Sequence, residues 1–260
     1  MAYSEETIGE LQGLMSSFQP FRVPEAKPMT DPLTRWTEQH ALLMGMAIVS
    51  AWLEHSPLLL AAMAAASFSA LLVRNRGRYT PKGAFGLANG LTLTRVAGTL
   101  ALLLGSDLAP EWQSAAVLLL VCADGADGWA ARRFGTASSF GERFDHESDA
   151  LLLLTVCLLL LASGRVGSWI LLPGALRYGF VLLSRKTQPS QRATPGNRFT
   201  RLIGVTTTLG LAVCWLPAIH PPVATALAAG LSVALTGSFL FSLWKQKQDS
   251  TPSKGESLPS

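Results

Sequence analysis

The chain has 260 residues, of which 49% are hydrophobic and only 15% charged, and its mean hydropathy is +0.32. Those values exclude an ordinary soluble domain and place the chain in a lipid bilayer. A net charge of +4, from 21 Lys and Arg against 17 Asp and Glu, is too small and too scattered for a nucleic-acid surface.

In chain order, residues 1–38 are polar, carry Pro20, Pro24, Pro28 and Pro32, and lack a basic stretch leading into an apolar one; they are expected to form a cytosolic tail rather than a signal peptide. Residues 39–74 hold apolar material from Ala41 to Val73, broken by Glu54-His55-Ser56-Pro57. That tetrapeptide is a turn signal and predicts a helical hairpin. Each arm offers about 13 to 17 apolar residues, short of the roughly 20 of an untilted crossing, so a full span and a re-entrant pair both stay open. A basic patch follows, at Arg74, Arg76, Arg78 and Lys82. Six further apolar segments are Leu91 to Gly105, Ser114 to Arg132, Asp145 to Ser163, Val166 to Ser184, Leu202 to Leu216 and Val223 to Trp244. Cys122, Cys157 and Cys214 lie in apolar runs without CxxC or CxxH spacing and read as small packing residues. Trp169, Trp215 and Trp244 near segment ends are expected to anchor at the interface, and Pro173 with Gly174 to kink the fourth segment.

Lys and Arg concentrate on alternate connections: the patch before the first segment, then Arg132, Arg133 and Arg143, then Arg185, Lys186, Arg192, Arg198 and Arg201, then Lys245 and Lys247. The intervening loops hold Asp107 and Glu111, then Arg165, then Ala218 to Pro222. Positive loops stay in the cytoplasm, so that side of the bundle is expected to face it. The expected fold is all-α: a polytopic integral membrane helical bundle with six core transmembrane helices over 85–245, the added hairpin, and a disordered tail over 246–260.

Chemistry is concentrated in two segments. Asp124 and Asp127 stand at i, i+3, and Asp145 and Asp149 at i, i+4, so each pair shares one face of its helix. Ionisable groups inside a bilayer are costly enough to be functional candidates. Four carboxylates in a low dielectric repel one another, and a bound divalent cation or two relieves that; an oxygen-only donor set favours Mg²⁺ or Mn²⁺ over zinc. Gly125, Gly128 and Gly141 allow close approach of a ligand to backbone, and Arg132, at i+4 from Gly128, can pair with a diphosphate. Together these residues predict a metal-dependent site at the cytoplasmic edge of the bilayer, acting on a lipid-linked diphosphate.

Written out, Asp124-x2-Asp127-Gly128-x2-Ala131-Arg132-x8-Gly141-x3-Asp145-x3-Asp149 resembles the signature of the CDP-alcohol phosphatidyltransferase family at every fixed position. At an average usage near one in twenty, such a match arises by chance on the order of 10⁻¹⁰ per start point. Asn89-Gly90-Leu91-Thr92-Leu93-Thr94-Arg95 resembles the Asn-x-x-Thr-x-x-Arg opening of that family's first core helix. The resemblance implies that Asp124, Asp127, Asp145 and Asp149 hold Mg²⁺ or Mn²⁺, two ions in all, with Asp149 also the general base. It implies that Gly128, Arg132 and Gly141, with Asn89 and Thr92, hold the CDP moiety. The implied reaction is displacement of CMP from a CDP-linked lipid such as CDP-diacylglycerol by an alcohol, in a multi-pass homodimer of the cell (inner) membrane whose site faces the cytoplasm.

Arg177, Arg185 and Arg198 are the candidate acceptor-binding residues. They lie on the aspartate side, where an anionic polyol or sugar phosphate would be attracted, and Arg177-x7-Arg185 resembles the glycerol-phosphate-using branch. That branch continues with Gly-Lys-x-Lys-Thr, whereas this chain has Gly196-Asn197-Arg198-Phe199-Thr200. Arg177, about 12 Å from the helix end, could equally snorkel or pair with another helix. Arg95 has two readings, substrate contact or pairing with a motif carboxylate. His146 reads as an interfacial polar residue, since no second His stands at i+4. Two other classes use similar residues: a membrane prenyltransferase, which would separate its Asp clusters on distant helices, and a carboxylate-lined transporter, which would spread charges over several spans near the midplane.

Overall fold

The structure, a computed structural model, describes residues 32–54, 56–105, 108–134, 138–184 and 198–249 and, within these, the side chains other than those of 54, 123–134, 184, 198–201, 242, 243 and 245–249. Among the described residues there are α-helices and one 3₁₀ turn but no strand. A chain this apolar satisfies its backbone hydrogen bonds within helices where it crosses lipid.

The expected hairpin is present. Helix α1 spans Pro32–Glu54 and α2 spans Leu58–Arg74, so the chain turns at the Glu54 to Pro57 signal. Helix α1 starts ahead of the apolar run because Pro32, with no N–H to lose, opens its first turn. The buried residues of α2, namely Leu60, Ala61, Ala64, Ser67, Phe68 and Leu71, recur every three or four positions. The two helices pack against each other, and Ala47, Ala51, Ala61 and Ala64 are buried; such small side chains let helix backbones approach. The outer face of the hairpin exposes Leu42, Met46, Val49, Leu53 and Leu58, a surface suited to lipid.

Helix α3 spans Leu87–Leu104. Gly86 precedes it at φ 79°, a left-handed conformation that glycine adopts without strain, and so the chain turns sharply into α3. Helix α4 spans Pro110–Phe134 and α5 spans Ser139–Ala162; α3 packs against both. The run Leu151 to Leu160 makes α5 the most deeply buried helix. A 3₁₀ turn at Ser168–Ile170 leads into α6, Leu171–Ser184. Pro173 thus falls in the first turn of α6, where a missing N–H breaks no intrahelical bond, and it starts a helix instead of kinking one.

Helices α7, Arg198–Val213, and α8, Pro221–Asp249, pack against each other and close the bundle. Arg165 locks the α5–α6 connection to the α7–α8 connection: its Nη1 donates to the carbonyls of Leu216 at 2.9 Å and Ile219 at 3.1 Å. A cation there satisfies carbonyls left open beyond a helix C-terminus. Trp169 and Trp244 are exposed, in line with interfacial anchoring, but Trp215 is only 3% exposed and belongs to the core. Cys157 and Cys214 are buried and unbridged, and Cys122 is exposed. Among the described residues, α3 and the Pro221–Phe241 stretch of α8 are long and apolar enough to cross a membrane; the further apolar stretches, such as Leu58–Arg74 and Leu202–Val213, are shorter.

Candidate active site at the motif helices

The site is organised around Arg95, in the middle of α3 and 1% exposed. Its Nε donates to Ser148 Oγ at 3.0 Å. Its Nη2 donates to Asp145 Oδ1 at 2.6 Å and to the Asp145 carbonyl at 3.2 Å, and lies 3.0 Å from Asp149 Oδ1. One guanidinium therefore gathers both motif carboxylates of α5, which the i, i+4 spacing had placed on one face. Of the two readings of Arg95, the geometry realises the pairing with motif carboxylates.

The two acids remain reachable from outside. Their side chains are 21% and 40% exposed, against 1% for the arginine between them. Arg95 thus anchors each carboxylate at its Oδ1, and a hydrogen bond to a charged donor of this kind contributes about 1.5–3 kcal/mol.

Helix α5 is set in place at its first turn. Ser138 caps it, accepting from Gly141 N at 3.0 Å, while its own hydroxyl donates to the Tyr79 carbonyl at 2.6 Å. Arg143 in the next turn donates to Thr37 Oγ1 at 3.3 Å and Thr34 Oγ1 at 3.2 Å, so the added hairpin also steadies the motif helix. Gly141 lies against α3: a Cβ there would stand 3.0 Å from Asn89 Oδ1 and 3.3 Å from Ser138 Oγ. Asn89 and Thr92 are buried, and their side chains donate to the carbonyls of Phe85 at 2.6 Å and Ala88 at 3.2 Å. Asn89, Thr92 and Arg95 thus form one buried stripe of α3, with Asn89 and Arg95 in contact with the motif half carried by α5.

Asp124, Asp127, Gly128 and Arg132 all lie on α4, but their side chains are outside the described residues, as are Arg185 and the side chain of Arg198. Accordingly, no group of three or more metal-ligating side chains comes together among the described residues. The donors that are described fit a hard divalent cation: two partly exposed carboxylates one helical turn apart, with oxygen donors only. His146 beside them is exposed.

Arg177 is held differently from a waiting cation. Its Nη2 donates to Glu147 Oε1 at 2.7 Å, and Glu147 is 1% exposed. Glu147, Ser148 and the capping Ser138 are the residues that sequence reasoning passed over. The rule that singles out ionisable groups in an apolar helix could have found Glu147, whereas a serine in such a helix carries no comparable signal.

The sequence profile of the family described as CDP-alcohol phosphatidyltransferase matches residues 85–239. No curated protein and no solved structure matches the chain. The matched region contains Asn89, Thr92, Arg95, all four motif aspartates and Arg177, and it begins after the hairpin. The helices long and apolar enough to cross a membrane agree with integration into one. The chain belongs to the CDP-alcohol phosphatidyltransferase family, whose members transfer a substituted phosphate from a CDP-linked alcohol to an alcohol acceptor.

Proposed function

We propose that this chain transfers a phosphatidyl group from CDP-diacylglycerol to a small alcohol, releasing CMP, in a multi-pass membrane bundle whose six core helices present the site to the cytoplasm. The observation that carries the reading is the buried Arg95 holding Asp145 and Asp149 together at 2.6 and 3.0 Å while both carboxylates stay partly exposed. Buried cations that only staple helices do not need partners open to the outside.

In this reading Asp145 and Asp149, with Asp124 and Asp127 from α4, hold two Mg²⁺ or Mn²⁺ ions. Bound there, the ions supply positive charge that neutralises the diphosphate and the departing CMP. Asp149, the more exposed of the α5 pair, takes the proton of the acceptor hydroxyl as that oxygen attacks phosphorus. Arg95 fixes the orientation of the base by holding one of its oxygens, so the proton is accepted in a set direction. Asn89, Thr92 and Gly141 shape the cleft where α3 meets α5, and Gly128 and Arg132 on α4 complete the CDP pocket. The basic connections attract anionic lipid headgroups. Two copies of the chain form the working assembly.

The test is direct. Purified protein in detergent, given CDP-diacylglycerol, Mg²⁺ or Mn²⁺ and an alcohol, should release CMP and form the matching phospholipid in equal amounts. CMP release without a phospholipid product, or turnover of a prenyl diphosphate in place of the CDP-lipid, would overturn the reading.

A further inference from the structure

The connection from the end of α2 to α3 carries cations that the mechanism does not use: Arg74, Arg76, Arg78 and Lys82, in a sequence with no Asp or Glu between Glu54 and Asp107. Arg76, Arg78 and Lys82 are exposed, and among the described residues no carboxylate pairs with them. Like charges this close in sequence repel unless an anion lies between them. On either flank Val73 is 74% and Leu87 58% exposed. Apolar side chains so open on both sides belong among acyl chains, which sets the cations between them at the level of lipid headgroups. The loop has a defined form. Arg78 N donates to the Asn75 carbonyl at 2.9 Å, Gly83 N to the Thr80 carbonyl at 2.8 Å, and Thr80 Oγ1 to the Ala84 carbonyl at 2.7 Å. It is also fastened to the motif helix beside Arg78. The Tyr79 carbonyl accepts from the Ser138 hydroxyl at 2.6 Å, and that hydroxyl in turn accepts from Gly141 N at 3.0 Å. The Tyr79 ring packs on Phe85 and on Phe140 of α5, with centroids 5.0 and 5.1 Å apart.

We propose that Arg76, Arg78 and Lys82 bind the phosphate of an anionic phospholipid of the surrounding bilayer, and that the bound lipid raises turnover by holding the first turns of α5 in place. The activation rests on the phosphatidyl-transfer reading above; the binding does not. Charge selects the partner. Guanidinium groups match phosphate oxygens, and a headgroup that carries its own ammonium cancels most of the attraction. Retention of positive loops in the cytoplasm accounts for cations on this side of the bundle. It sets no requirement on where such a loop is tied, and this one ends on the cap of the helix that bears Gly141, Arg143 and Asp145. The cations also precede residue 85, where the family match begins, so they are an addition to the shared core. Without an anion, their mutual repulsion strains the Tyr79–Ser138 contact. With a phosphate among them the loop closes, and the turn of α5 that leads to Asp145 is held against it.

The experiment places the full chain in nanodiscs of phosphatidylcholine, with or without phosphatidylglycerol, and measures CMP release from CDP-diacylglycerol with glycerol 3-phosphate or myo-inositol. Titration of labelled phosphatidylglycerol or phosphatidylcholine into the protein in detergent gives each lipid's Kd. The wild type should bind phosphatidylglycerol at least tenfold more tightly, and that lipid should raise kcat at least threefold. Arg76→Gln/Arg78→Gln/Lys82→Gln should weaken phosphatidylglycerol binding about 100-fold, at roughly fivefold per basic residue near an anionic surface. The same variant should lose the stimulation and keep its turnover in pure phosphatidylcholine within twofold of wild type. If it does not purify folded, Lys82→Gln alone should weaken binding about fivefold. Ser138→Ala keeps the cations but not the tie, so it should bind phosphatidylglycerol like the wild type and lose the stimulation. Inorganic phosphate added to phosphatidylcholine nanodiscs should not replace the lipid. Equal Kd values for the two lipids, binding unchanged by the substitutions, or equal stimulation by inorganic phosphate overturns the lipid site. A larger loss of turnover in pure phosphatidylcholine would make the cations substrate contacts and overturns it too. Stimulation that survives Ser138→Ala overturns the coupling to α5. No CMP release with either acceptor overturns phosphatidyl transfer and the activation with it, and the Kd comparison still decides the binding site.

Discussion

Replacing Arg95 by lysine separates charge from geometry at the centre of the site. Lysine keeps the positive charge near Asp145 and Asp149 but cannot also reproduce the Nε bond to Ser148 at 3.0 Å. Ser148 is fully buried, so its hydroxyl loses that donor in a place water does not reach. One charge-assisted hydrogen bond is worth about 1.5–3 kcal/mol. If the loss falls on the transition state, because Asp149 is no longer held in one orientation, kcat/KM should drop roughly 10- to 100-fold. Arg95→Ala removes the cation as well and leaves two carboxylates without it; breaking a buried pair in this way costs about 3–5 kcal/mol. Because Asp149 is 40% exposed, the lower end of that range is the expectation. Steady-state CMP release gives kcat and KM, and thermal unfolding in detergent reports stability. Arg95→Lys should keep most of the melting temperature while losing activity, and Arg95→Ala should lose both. Wild-type kcat/KM in Arg95→Ala would refute the reasoning.

Three further outcomes follow from the same geometry. Asp149→Asn should abolish turnover, about 10²-fold or more, while CDP-lipid binding, read by equilibrium dialysis with labelled donor, stays within a few-fold; comparable activity would remove Asp149 as the base. Gly141→Ala, whose Cβ would sit 3.0 Å from Asn89 Oδ1, should push α3 and α5 apart by a few tenths of an ångström and raise the donor KM more than it lowers kcat; an unchanged donor KM would take Gly141 out of the CDP pocket. Chelation with EDTA should stop CMP release, and Mg²⁺ or Mn²⁺ should restore it where Zn²⁺ does not; activity that survives chelation would separate the reaction from the metals.

Much of this arrangement could be read from the chain because it follows from helical periodicity. The i, i+4 spacing of Asp145 and Asp149 predicts a shared face, and one guanidinium touches both. The Glu54 to Pro57 interruption predicts a hairpin turn, and the helices end and restart around it. What escaped depends on contacts between residues distant in sequence. Arg177 could have been substrate-binding, snorkelling or paired, and only the approach of α6 to α5 brings it to Glu147. Trp215 sits near a segment end as an interfacial anchor would, yet the packing around it makes it core. Pro173 was expected to kink an existing helix, but whether a proline kinks or starts one depends on where the helix begins, and the 3₁₀ turn at Ser168–Ile170 decides that. Ser138 and Ser148 are too common a residue type to signal the cap and the arginine partner that they become.

The account requires the aspartates of α4 and α5 to grip the same ions, and anomalous scattering from Mn²⁺ in crystals grown with CDP reads that arrangement directly. The expected result is strong peaks with carboxylate oxygens of Asp145 and Asp149 and of Asp124 and Asp127 at about 2.0–2.3 Å. Peaks placed away from the α5 carboxylates, or CDP seated where no motif aspartate reaches its phosphates, would contradict it.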